Sequence, residues 1–125
     1  MNEESINKWA DAYIQAQLAS NLNTDNPQWW AFEKFIQVGT EELSSKDCLN
    51  TILVILEKNP PDKVMSVLAA GPLEDLIEEC GEEVIDEIER LARQNSKFKY
   101  LLGGVWESGT PDIGSRVLAC RGETW

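Results

Sequence analysis

Carboxylates are the one chemical resource this sequence holds in excess. Nine stand between Pro72 and Arg93: Glu74, Asp75, Glu78, Glu79, Glu82, Glu83, Asp86, Glu87 and Glu89. Only Arg90 and Arg93 oppose them there, so this stretch carries −7 of the chain's net −11. Paired carboxylates can bind a cation or divide general acid and base roles between them. Glu79-x-x-Glu82 and Glu83-x-x-Asp86 have suitable spacing, but Gly81 interrupts the first pair. A di-iron centre in a helical bundle also asks for inward-facing Glu and Glu-x-x-His motifs. The chain has no His at all, which excludes Cys-His and Ser-His nucleophiles and His-containing metal sites. The sequence therefore assigns no catalytic residue, metal ligand or cofactor, and the expectation is a protein that is not an enzyme.

Part of this charge has an ordinary structural use. Glu74 and Asp75 fall in a helix first turn, where negative charge suits the helix dipole. Asp86 with Arg90 and Glu89 with Arg93 are spaced as i,i+4 pairs, each contributing about 0.2–0.5 kcal/mol. Glu78, Glu79, Glu82, Glu83 and Glu87 have no such partner in the local sequence. Helical spacing sets the acids opposite the apolar stripe, so they face solvent. Glu78, Glu79, Glu82, Glu83, Asp86 and Glu87 are accordingly the candidate partner-binding surface.

Other groups read as structural. Cys48, Cys80 and Cys120 are odd in number, widely spaced and set among apolar neighbours, which fits buried reduced thiols better than disulfides or a zinc knuckle. Trp29, Trp30, Phe32 and Phe35 crowd one short helix; adjacent Trp residues point about 100° apart, so one of the two is expected inside. Gly103-Gly104 lacks the lysine and strand–helix context of a phosphate loop and reads as a helix stop.

A length of 125 residues with 42% hydrophobic residues suits one domain with a real core, spanning 1–125. Eleven Lys and Arg against 22 Asp and Glu disfavour nucleic acid and anionic membranes and favour a basic protein partner. With no long apolar run and no secretory signal at the acidic N-terminus, the expected location is cytoplasmic.

The elements that must position these groups are helices. Ile6, Trp9, Ala10, Tyr13, Ile14 and Leu18 mark a first helix from Glu3 to about Leu22. Asn26-Pro27 reads as a cap and first turn of a second, stopping near Gly39. A third is expected over Asp47–Lys58, with a buried strand through Thr51–Leu56 as the alternative. Asn59-Pro60-Pro61 ends it, and another helix covers Asp62–Ala70. Gly71-Pro72 should stop one helix and open the next, and Gly81 should close that one before a further helix begins. A short helical turn ends at Gly103-Gly104. Residues 105–125 read as an irregular tail, with Arg116–Cys120 either helical or extended. The fold class is all-α: an irregular bundle of about six short antiparallel helices with solenoid-like stacking.

Two stretches carry a resemblance. Ala69-Ala70-Gly71-Pro72-Leu73-Glu74-Asp75-Leu76-Ile77 and Leu101-Leu102-Gly103-Gly104-Val105-Trp106 resemble the signature of a family of small bacterial proteins classed as a domain of unknown function. That family implies no activity and no functional residues. In size, acidity and expected location the chain is also similar to bacterial immunity proteins, which protect a cell against toxins such as those of contact-dependent inhibition. That similarity implies an inhibitor whose acidic surface covers a basic, nuclease-like toxin. The alternatives are a housekeeping adaptor or regulator and, third, a carboxylate-dependent enzyme.

Overall fold

Seven α-helices and one π-helical turn make up the regular structure of this computed structural model, which describes residues 1–19 and 23–125. In order they are α1 (Glu3–Leu18), α2 (Trp29–Ile36), α3 (Ser45–Glu57), α4 (Asp62–Leu68), the π turn (Ala69–Leu73), α5 (Glu74–Gln94), α6 (Ser96–Leu102) and α7 (Pro111–Cys120). The described residues contain no strand, only isolated bridges in the tight loop around Val38 and Leu43. The fold is all-α. No helix among the described residues is long and apolar enough to cross a membrane.

Polar side chains set where most helices begin, by accepting backbone N–H groups that a first turn leaves unpaired. Asn2 receives the Ser5 N–H at 2.8 Å, Ser44 the Asp47 N–H at 3.1 Å, and Asn95 the Phe98 N–H at 3.1 Å. Thr110 receives the Ile113 N–H at 3.3 Å, with Pro111 in the first position. The tail is therefore not irregular throughout, since residues 111–120 form α7.

Two expected boundaries differ from the structure. Asn26 does not cap α2 directly. Its side chain accepts the Gln28 N–H at 2.8 Å, making an Asx turn that delays the helix to Trp29. Gly71-Pro72 does not separate two helices either. Pro72 has no N–H to donate, and the chain absorbs the missing bond by widening into the π turn, so α4 passes into α5 without a stop. The break expected at Gly81 is present one residue earlier: Cys80 leaves helical geometry, with φ −131° and ψ 23°, so α5 is two helical segments that meet at this kink. The predicted end of α1 at Leu22, with Asn21 of the polar break, lies outside the described residues.

α3 is a helix and not the alternative strand. It packs against α1, α5, α6 and the π turn, with Ile52 and Ile55 fully enclosed. At the α1–α2 contact, Trp9 is fully buried, donates its indole N–H to the Ala31 carbonyl at 2.9 Å and meets the Phe35 ring at 4.4 Å. The ring edge of Tyr13 reaches Phe35 at 5.1 Å. Neither Trp29 nor Trp30 is inside, contrary to expectation. α2 buries Ala31 and Phe35 instead, and Trp29 lies half-buried over Phe32 at 4.7 Å.

The two stretches that carry the family resemblance meet in space. A Cβ at Gly104 would lie 3.0 Å from the Ala69 Cβ and 2.6 Å from the Trp125 ring; at Gly103 it would strike the Glu123 carbonyl oxygen at 2.1 Å. The glycine pair therefore does more than stop α6. It lets the π turn and residues 123–125 close onto the same backbone.

Candidate functional site

The acidic stretch lies on α5, whose apolar stripe (Leu76, Ile77, Cys80, Val84, Ile85, Ile88, Leu91) is buried against the core. That burial turns most of the carboxylates outward. The kink at Cys80 and the bare backbone of Gly81 admit α7, for a Cβ at Gly81 would sit 3.0 Å from Ile113 Cγ2. Beside this joint the 108–110 loop comes down against α5. Gly109 turns it at φ +80°, a backbone conformation strained for any side chain, and a Cβ there would press on Ile113 Cγ2 at 3.1 Å. Its N–H donates to Glu78 Oε2 at 2.6 Å.

Between loop and helix is an open groove of about 270 Å³ walled by Glu78, Glu79, Glu82 and Glu83, with Ile77 and Ile113 at its base. Glu79, Glu82 and Glu83 make no ion pair or hydrogen bond among the described residues. Partial burial and the nearby Glu79 charge raise the Asp75 carboxyl above its usual range. Burial, then Glu83 and Glu79, raise the Cys80 thiol, and burial raises Cys48 further. Both thiols therefore stay protonated at neutral pH and are poor nucleophiles. All three cysteines are free; Cys120 is half-buried, not enclosed.

One turn further along α5 the charges are satisfied. Arg116 of α7 holds Glu89 with two nitrogens, Nη2 to Oε1 at 2.5 Å and Nε to Oε2 at 3.1 Å, and reaches Asp86 Oδ1 at 2.7 Å. Arg90 pairs with Glu87, three residues back, and with Gln94 at 2.7 Å. These contacts hold the Glu87 and Glu89 carboxyls below their ordinary range. The expected i,i+4 pairs of Asp86 with Arg90 and Glu89 with Arg93 do not form, because a cation from another helix takes both acids. Glu87 is likewise not unopposed.

Of the six candidate residues, the structure thus gathers Glu78, Glu79, Glu82 and Glu83 around one groove and places Asp86 and Glu87 in ion pairs. Sequence reasoning missed Arg116 and Gly109. Thr110-Pro111-Asp112, a cap followed by proline and an acid, was the local signal for a helix that would carry Arg116 back to α5. Among the described residues no three His, Cys, Asp or Glu side chains converge to hold a metal ion. The groove offers a concentrated negative field, one backbone-anchored carboxylate and a narrow apolar floor. Those are means of attracting and seating cationic side chains.

The sequence model of a family of unknown function (DUF6869) matches residues 18–124. No curated protein and no solved structure matches the chain. The family match covers both resembling stretches, the whole of α5 and the loop that closes the groove, and the chain belongs to this family of unknown function, DUF6869.

Proposed function

We propose that this chain is a protein-binding module acting in the cytoplasm, most concretely an immunity-type inhibitor that neutralises a basic, nuclease-like toxin. The observation that carries the reading is the groove in which Glu79, Glu82 and Glu83 stand without an opposing charge. Unpaired like charges on neighbouring turns cost stability, and a partner that supplies the missing cations offsets that cost. A nuclease site is built to hold phosphates, so a row of carboxylates spaced along a helix competes for the same Lys and Arg side chains. Long-range attraction between the acidic chain and a basic surface raises the association rate. Three free thiols fit a reducing compartment.

The test is capture of partners by the tagged protein at low and high salt, followed by nuclease assay of what is bound. The expected result is a basic protein that salt releases and whose activity the chain suppresses. A captured basic protein with no suppressible activity would favour the adaptor reading of the same surface. Capture that survives reversal of Glu79, Glu82 and Glu83 to Lys would remove the groove from either account.

A further inference from the structure

Trp106 is 77% exposed, more than any other large apolar side chain of the described residues. A lone exposed hydrophobe needs no explanation, but Trp106 is not alone. With the exposed Leu118 and Trp125 it surrounds a pocket of about 290 Å³ whose base is Gly103-Gly104 and whose rim carries Arg121. The wall opposite Trp106 is tied down by several contacts. Trp125 stacks on Tyr100 at 5.0 Å, donates its indole N–H to the Tyr100 carbonyl at 2.6 Å and its backbone N–H to the Gly103 carbonyl at 3.3 Å. Aromatic side chains fixed in this way, around a pocket and next to polar ground, have the makeup of interface anchors.

The 105–110 loop joins this pocket to the acidic groove, with Val105, Trp106 and Glu107 lining the one and Gly109 and Thr110 the other. A narrow crevice beneath residues 105–108 shares Trp106, Leu118 and Arg121 with the aromatic pocket and Ile77 with the groove. One face therefore runs from Glu79, Glu82 and Glu83, along the 105–110 loop, to Trp106, Leu118 and Trp125. Its two ends ask different things of whatever covers it: cations at one and a large apolar side chain at the other.

We infer that the binding surface is this whole face, and that its partner is a protein segment carrying clustered Lys or Arg followed at a fixed offset by a large apolar residue. The inference rests on the acidic groove being the place where a basic partner docks, and adds the apolar half. The division of labour is kinetic. Screened, exposed carboxylates govern encounter, while an anchor desolvated between Trp106 and Leu118 governs the lifetime of the complex.

The experiment is selection of a phage-displayed library of random twelve-residue peptides on the full chain, followed by binding kinetics of the enriched peptides on three proteins: wild type, Trp106→Ala and Glu79→Lys/Glu82→Lys/Glu83→Lys. The expected peptides combine a basic cluster with Trp, Phe or Leu at a constant offset. Trp106→Ala should weaken them about tenfold, chiefly through faster dissociation, with an unchanged melting temperature because the side chain lies outside the core. The charge reversal should slow association. Enrichment of basic peptides without an apolar residue, indifferent to Trp106→Ala, overturns the extended face and leaves the acidic groove standing. Apolar peptides indifferent to the three glutamates overturn the joint surface. No enrichment overturns both readings, and a dimer of the chain alone that Trp106→Ala dissolves assigns the aromatic pocket to a second copy instead.

Discussion

Two segments of α5 have nearly the same composition and opposite surroundings. Around the Cys80 kink, among the described residues, Glu79, Glu82 and Glu83 face a groove with no cation and Glu78 is held only by the Gly109 N–H. A turn later, Asp86 and Glu89 are gripped by Arg116 and Glu87 by Arg90. The helix is not what distinguishes them, since both segments present acids opposite one apolar stripe. The difference is what packs alongside. α7 brings a guanidinium to the later segment, whereas the 108–110 loop brings a backbone amide to the earlier one. Charge on a helix is thus a structural asset or an unfilled demand depending on its neighbour, and here the demand is concentrated in one groove.

The largest way to break this contrast is to undock α7. Ile113 is buried against Gly81, and Ile113→Ala should cost about 2–5 kcal/mol in urea unfolding, releasing Arg116 and leaving Asp86 and Glu89 without their cation. A subtler change removes the guanidinium alone. Arg116→Ala should lower the melting temperature at neutral pH, and the penalty has a defined pH dependence. Because Arg116 depresses the folded-state Glu89 pKa below 4.5, the stabilisation is fully present above that ordinary value and is lost as pH falls through the folded one. The melting difference between wild type and variant should therefore close on acidification.

Neutralising the groove should do the reverse. Glu79→Gln/Glu82→Gln/Glu83→Gln should stabilise the fold by about 0.2–0.5 kcal/mol for each like-charged pair relieved, with the gain shrinking in high salt as the charges are screened. A stability gain coupled to lost partner binding would sharpen the contrast, and a stability loss would break it. The smallest effect belongs to Asp75. Burial and Glu79 raise its folded pKa above 3.8, so its ionised form costs stability at neutral pH and that cost is absent below the unfolded value. Asp75→Asn should give a slight rise in melting temperature at pH 7 that disappears near pH 3, read by thermal melts at the two pH values.

Much of the fold was legible because its signals are local. The three- and four-residue spacing from Ile6 to Leu18 and the β-branched but helically spaced run from Leu49 to Leu56 produced α3 as read and α1 with an earlier end, at Leu18. Where the reading failed, the deciding interaction was not local. Gly71-Pro72 carries the signature of a stop and restart, yet core packing of Ala69, Pro72 and Leu73 holds the chain in one continuous path. Trp29 and Trp30 look like core residues by type, but Trp9 and Phe35 fill the α1–α2 contact first. The candidate site followed the same rule. That the acids face outward came from periodicity alone, whereas which of them are satisfied depends on Arg116, 27 residues beyond Glu89, and no spacing within α5 encodes that partner.

The most direct test of the central claim compares two neutralised proteins in the same capture experiment: Glu79→Gln/Glu82→Gln/Glu83→Gln, and Asp86→Asn/Glu89→Gln. The account predicts that the first is the more stable of the two and loses the basic partner held by the wild type, while the second melts earlier and keeps it. Retention of that partner by the groove variant, with loss by the Asp86 and Glu89 variant, would contradict it.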